Sequence, residues 1–309
     1  APRLSAARRD IMNYKNANLY TEKFRFERGA FSVENGRFCH VLQEQPDAVD
    51  LHGAYVIPGL IDVHTHGNSG ADFSDGALAG VEKMAEYLGK NGVTSFAPAS
   101  MTLPYETLAA AFASARAFVD ENRTDCAALR GIQMEGPFFS EKKKGAQNGA
   151  YLREPDLDAF QRLYDASEGL IRIADVAAEL PGAVEFTEKV SKLCTVSIAH
   201  TDCTYEDAQA VFRAGARHLT HLYNAMPGIH HRKPGPIGAG SEREDVTAEL
   251  ICDGQHVHRL AADLPCRDDG GRQNGLLLRD AERDRFSHAV IEIRRRACER
   301  AVRELRHAA

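Results

Sequence analysis

The feature that most constrains the fold is a recurrence of short apolar runs, each separated from the next by a stretch with helical spacing. They read "VIPGLIDVH", "GVTSFAPAS", "LRGIQMEG", "LIRIADVA", "CTVSIAH", "ARHLTHL", "VTAELICDG" and "GLLLRDA". Runs of this length bounded by turn residues read as buried strands. Between them lie segments such as "LAGVEKMAEYLGKNG", where Val81, Met84, Ala85 and Leu88 follow the i, i+3, i+4, i+7 stripe of an amphipathic helix and Gly92 can end it. Eight strands alternating with helices point to an α/β fold of the TIM-like (β/α)8 barrel type, with an open doubly wound sheet as the alternative. The barrel is favoured because polar, chemically capable residues end nearly every run, which suits a ring of strands converging on one site. The 309 residues accommodate such a domain, assigned to 57–309, together with a smaller one.

That smaller part, 1–56, has a different texture. In "YKNANLYTEKFRFERGAFSVENGRFCHVL" apolar and polar residues alternate with period two, punctuated by "ENG". This reads as antiparallel strands and hairpins, a small β-sandwich module. A net charge of −6 argues against a broadly basic nucleic-acid-binding surface. No apolar run approaches the roughly 20 residues needed to span a bilayer, and the start "APRLSAARRD" lacks a signal peptide's apolar core, so a cytoplasmic protein is expected, with no membrane partner. The cysteines (Cys39, Cys126, Cys194, Cys203, Cys252, Cys266 and Cys298) are odd in number and free of CxxC spacing, as expected for reduced thiols; Cys203 reads as a small packed residue.

The chemistry lies at the strand ends. In "PGLIDVHTHG", His64 and His66 project to one side of a strand with Thr65 between them, a chelating arrangement. Three further runs end in Glu135 ("GIQMEG"), His200 ("VSIAHTD") and His221 ("HLTHLYNAMPG"). A single histidine at a strand end is ordinarily structural, and a lone Glu135 would ordinarily be a salt-bridge partner. Four strand ends offering imidazole or carboxylate together point to a divalent ion such as Zn or Fe(II). A metal that brings the pKa of water toward ~7 implies hydrolysis.

On these residues the chain resembles the amidohydrolase superfamily, whose first barrel strand is similar to "VIPGLIDVHTHG". Within it, "GNSGADFSDG", "GIQMEGPFFSEKKKGAQN", "IAHTDCTYEDA", "THLYNAMPGIHHRKPGPIGA" and "AELICDGQHVH" resemble the N-acetylglucosamine-6-phosphate deacetylase family over roughly residues 13–258. The resemblance implies removal of the acetyl group from the sugar's 2-acetamido nitrogen, giving acetate and glucosamine 6-phosphate. It implies that Glu135, His200 and His221 hold the main divalent metal, with His64 and His66 available to a second; one or two ions per subunit both fit. Ala146, Asn224 and Ala225 would contact substrate, Arg232 the phosphate, and His256 the sugar phosphate. An arginine fork suits a phosphate, although "HHRK" also reads as an exposed basic loop. The family's common homodimer, with phosphate contacts crossing the interface, is implied as well. At Gln147 the family commonly has histidine; glutamine there is expected to hydrogen-bond a sugar hydroxyl.

After His258 the resemblance stops, and 259–309 reads as divergent or truncated relative to the family. The mechanism needs a carboxylate general acid/base, which in the family is an Asp ending the last barrel strand. Asp280, ending "LLLRDA", is the candidate, with a solvated Asp in the charged string "RDAERDR" as the competing reading. Two other functions stay open: a different amidohydrolase acting on cyclic amides, and a non-catalytic sugar-phosphate-binding relic.

Overall fold

The computed structural model describes residues 11–21, 25–39, 47–251, 253–258 and 261. The expected eighth strand at 275–281, Asp280 and the divergent segment beyond residue 261 lie outside the described residues. The chain divides into two compact units after Pro58.

The first unit is one five-stranded sheet formed by β1 (Ile11–Tyr20), β2 (Phe26–Glu34), β3 (Arg37–Cys39), β4 (Val49–Asp50) and β5 (Tyr55–Val56). Glu34 pairs with Arg37 across a two-residue turn in which Asn35 and Gly36 have φ of 52° and 72°. Both central residues are thus left-handed, as a tight hairpin turn requires, and "ENG" supplies the residues that tolerate it. The hairpin expectation fails for β4 and β5, which run parallel to β1. At two residues each they carry too little alternation to announce a pairing direction.

The second unit is built on parallel strands: β6 (Leu60–Thr65), β9 (Val93–Pro98), β10 (Ala128–Leu129), β11 (Ile132–Met134), β12 (Ile171–Val176), β13 (Thr195–Ile198), β14 (His218–Leu219) and β15 (Thr247–Ala248). A small hairpin, β7 (Gly67–Asn68) with β8 (Ala71–Asp72), follows β6. The hydrogen-bonded order is β6, β9, β10 on one side and β11 through β15 on the other. A parallel bridge between Ala99 and Gln133 and a bond from Ser100 N–H to Gln133 O (3.0 Å) join the two. The result is one row of parallel strands with β6 and β15 at its ends. Parallel strands need crossovers, and helices provide them: α1 (Leu78–Lys90), α2 (Tyr105–Asp120), α3 (Leu157–Ala166), α4 (Ala183–Val190), α5 (Tyr205–Ala214) and α6 (Gly235–Ser241).

Local chemistry sets the helix limits. The buried face of α1 is Val81, Met84, Ala85 and Leu88, the predicted stripe, and the chain turns out at Gly92 with φ of 82°. Helix α5 opens on a capping box: Thr204 accepts from Asp207 N–H while Asp207 accepts from Thr204 N–H. Asp156 caps α3 by accepting from Ala159 N–H at 2.9 Å. Buried phenylalanines, among them Phe96, Phe112, Phe160, Phe186 and Phe212, belong to one apolar cluster within this unit. Cys203 is buried in the same cluster, and its thiol is pushed up to about 12 by burial. No helix among the described residues is long and apolar enough to cross a membrane.

Candidate metal centre

The C-terminal ends of β6, β11, β13 and β14 bring five predicted ligands together. Glu135, one residue past β11, is 2% exposed and forms the centre. Its Oε1 lies 3.1 Å from His200 Nε2, 3.1 Å from His221 Nε2 and 3.6 Å from His64 Nε2. Its Oε2 lies 3.1 Å from His66 Nε2. These atoms form two potential ligand groups that share the carboxylate: His64, His66 and Glu135, and Glu135, His200 and His221.

Each histidine is oriented through its other ring nitrogen. Nδ1 of His66 faces Ala99 O at 3.1 Å, that of His200 faces Lys143 O at 2.9 Å, and that of His221 faces Asn224 O at 3.1 Å. A carbonyl oxygen only accepts, so each Nδ1 carries the proton and, in the neutral ring, Nε2 carries none. Nδ1 of His64 likewise faces an acceptor, the Glu249 carboxylate at 2.8 Å. Four imidazole lone pairs therefore converge on a carboxylate that is itself an acceptor. His64 Nε2 is buried without a hydrogen-bond partner among the described residues. Positive charge is needed between these atoms, and a borderline divalent cation fits imidazole and carboxylate donors held by such partners.

The electrostatics of the chain say the same. Burial alone would push the Glu135 carboxyl up, but His64 and His66 beside it, with the bonds from His200 and His221, hold it well below the carboxylate range. Burial would push His64 down, yet Glu249 and Glu135 raise it well above its ordinary value. In the chain by itself protons are the cations this pocket can gather.

The strand ends are bent sharply to make this arrangement. His200, His221, Tyr223 and Ala225 have φ of 42°, 32°, 78° and 51°, a left-handed backbone that costs a non-glycine residue of order 1–3 kcal/mol. The ring of Phe139 stacks on His200 with centroids 4.4 Å apart.

The remaining predicted positions are less tightly gathered. Asn224 takes part through its carbonyl to His221, and Ala225 O accepts from Thr201 N–H at 3.0 Å. Ala146 is exposed and adjoins Gly145, whose place is close against the His200 ring. Arg232 is exposed, its amide donating to His230 Nδ1 at 3.2 Å. His256 is exposed and bonded to Asp253 at 2.6 Å. Gln147 is buried: Oε1 accepts from Thr102 N–H at 2.7 Å and Nε2 donates to Glu135 Oε2 at 2.9 Å. Its amide thus joins a main-chain donor to the Glu135 carboxylate.

Sequence reasoning missed Glu249 and its neighbour His218. A signal existed: Glu249 interrupts the apolar run "VTAELICDG" much as Glu135 interrupts "GIQMEG".

Comparison with known proteins places this geometry. The amidohydrolase family matches residues 55–304. N-acetylglucosamine-6-phosphate deacetylase from Bacillus subtilis (strain 168) is 33% identical over 259 residues, which cover 81% of this chain and 65% of that protein. N-acetylgalactosamine-6-phosphate deacetylase from Escherichia coli O157:H7 is 34% identical over 210 residues, covering 68% and 55%. Among solved structures, N-acetylglucosamine-6-phosphate deacetylase from Pasteurella multocida superposes with a TM-score of 0.74 at 30% identity, over 82% of this chain and 68% of that one. The chain thus spans 65% and 55% of the length of these two curated relatives. On the extent of the family match and on these likenesses, the chain belongs to the amidohydrolase family.

Proposed function

We propose that the protein is a metal-dependent deacetylase that hydrolyses the acetamide of N-acetylglucosamine 6-phosphate to glucosamine 6-phosphate and acetate. The observation that carries this reading is the convergence of four imidazole Nε2 atoms on the buried Glu135 carboxylate, each ring held through its Nδ1. The substrate follows from the names of its relatives, and the parallel strand row is read as seven-eighths of a (β/α)8 barrel.

Glu135, His200 and His221 would hold a divalent ion, Zn or Fe(II), with His64 and His66 completing the site or sharing a second ion through Glu135. The chemistry such an ion supplies is Lewis acidity, which polarises an amide carbonyl and makes water nucleophilic near neutral pH. Gln147 holds the Glu135 carboxylate in place through its amide. Asp280 is the proposed general acid/base, taking a proton from the attacking water and delivering it to the departing sugar amine. Arg232 and His256 would meet the phosphate, and Ala146, Asn224 and Ala225 the sugar and acetamide. A homodimer in the cytoplasm, where a phosphorylated sugar is retained by its charge, is the proposed setting.

The test is acetate release from N-acetylglucosamine 6-phosphate by the purified chain, after chelation and again with Zn(II) or Fe(II) restored. Metal-dependent release that Arg232→Ala weakens through KM supports the reading. Release indifferent to Arg232→Ala would favour another amidohydrolase substrate, and N-acetylgalactosamine 6-phosphate would be the first alternative to assay.

A further inference from the structure

Glu249 immediately follows β15, and its peptide is fixed on both sides. Its N–H donates to Leu219 O at 2.9 Å, and its carbonyl accepts from Leu222 N–H at 2.8 Å. The side chain is 0% exposed. A buried carboxylate is tolerable only if its lone pairs find donors, and here three converge. Oε2 accepts from His64 Nδ1 at 2.8 Å and from the His221 backbone N–H at 3.2 Å. Oε1 lies 3.1 Å from His218 Nε2, whose own Nδ1 meets Thr247 Oγ1 at 2.7 Å.

Two of those donors belong to different ligand groups. His64 is in the group with His66, and His221 is in the group with His200. They also come from distant parts of the strand row: His64 lies on β6, at one end, and His221 follows β14, the neighbour of β15 at the other. One carboxylate thus ties the ligand of one edge strand to the ligand that follows β14.

We propose that Glu249 is a positioning residue for the metal centre, holding the His64 proton on Nδ1 so that Nε2 faces Glu135 unprotonated, and anchoring the His221 amide so that its left-handed backbone persists. The inference rests on the metal-centre reading. A carboxylate behind a ligating histidine fixes the ring's tautomer and raises its basicity, and loss of such a partner typically costs ~10–100-fold in metal affinity. Strained backbone at a site survives only where its surroundings over-determine it, and the bond from His221 N–H is one such constraint. A purely structural role, filling the space between β6 and β15 with satisfied hydrogen bonds, would stabilise the fold without setting which imidazole nitrogen is available.

The experiment is a competition titration of Zn(II) against a chromophoric chelator, for the parent chain and for Glu249→Gln, which keeps the volume and removes the charge. The expected result is roughly 10–100-fold weaker Zn(II) binding in the variant. In parallel, two-bond 1H–15N correlations of the Zn(II)-loaded parent are expected to place the His64 proton on Nδ1. Unchanged Zn(II) affinity in a folded Glu249→Gln, or a His64 proton on Nε2, overturns the inference while leaving the metal centre standing. Should Glu249→Gln fail to fold, the His64 tautomer in the parent decides alone. A parent that takes up no Zn(II) overturns the metal-centre reading and this inference with it.

Discussion

His200 Nε2 and His221 Nε2 lie 3.1 Å apart, and both are 3.1 Å from the same oxygen of Glu135. With both Nδ1 protons committed to main-chain carbonyls, this is a contact between three acceptors that positive charge must relieve. Glu135→Gln keeps the shape and removes the shared negative charge. Zn(II) content measured by elemental analysis should fall below that of any outer-partner variant, exceeding the ~10–100-fold affinity loss typical of those. Acetate release should fall with it; a variant that keeps parental Zn(II) would show that Glu135 is not the shared ligand.

Gln147 joins Thr102 N–H to Glu135 Oε2. Gln147→Ala leaves a buried main-chain donor without its partner, which costs about 1–3 kcal/mol of stability. It also removes one of the groups that orient Glu135, so Zn(II) affinity should drop about tenfold or more. Gln147→His, the residue that the resemblance leads one to expect at this position, can still donate to Glu135 and should bind Zn(II) more tightly than Gln147→Ala. Equal affinity in the two variants would mean that the amide's bond to the carboxylate is incidental.

The thiol of Cys203 gives a pH prediction with a definite sign. Burial raises it from its ordinary value of 9.0 to about 12, so the folded chain keeps the proton where the unfolded chain has lost it. Its contribution is intact below about pH 9 and erodes as pH rises from there toward 12. At pH 8 the thiol is neutral and enclosed, so iodoacetamide followed by peptide mass analysis should label Cys203 only after denaturation. Half-exposed Cys39 serves as the internal reference for labelling in the native state. Rapid native labelling of Cys203 would contradict its place in the core.

What was legible in the chain was what local pattern controls. Seven of the expected apolar runs bounded by turns carry the described parallel strands, β10 and β11 sharing one run, while the α1 stripe is announced by its spacing and the β2–β3 hairpin by "ENG". His64 and His66 were readable because a strand fixes where alternate side chains go. The rest depends on partners that local pattern does not reveal. Glu249 meets His64 across 185 positions, a contact that exists only because the strand row brings its two ends together. The carbonyls of Ala99, Lys143 and Asn224 set three tautomers, yet every residue has a carbonyl, so no residue type marks them. Gln147 was legible as a polar group at the site, but its bonds to Thr102 N–H and Glu135 were not, because an amide serves a sugar hydroxyl or a carboxylate equally well. Asp280, the proposed acid/base, lies outside the described residues.

Gly136 offers the most stringent test of how tightly the Glu135 turn is built. Its φ is 92°, a conformation that L side chains rarely adopt, and a Cβ there would fall 2.2 Å from Thr102 Oγ1 and 3.3 Å from both Thr102 Cα and the Phe139 ring. Thr102 is 1% exposed and Phe139 stacks on His200, so neither neighbour yields freely. Gly136→Ala combines backbone strain of about 1–2 kcal/mol with overpacking of about 1–3 kcal/mol. A urea midpoint lowered by roughly that sum is expected, together with weaker Zn(II) binding as Glu135 is displaced. Because the severest of these contacts is with the Thr102 hydroxyl, Thr102→Ala should partly rescue it. The Thr102→Ala/Gly136→Ala double variant should be less destabilised than the two single losses added together, by about 0.5–3 kcal/mol. Strict additivity would show that the backbone conformation, and not the contact with Thr102, is what reserves this position for glycine.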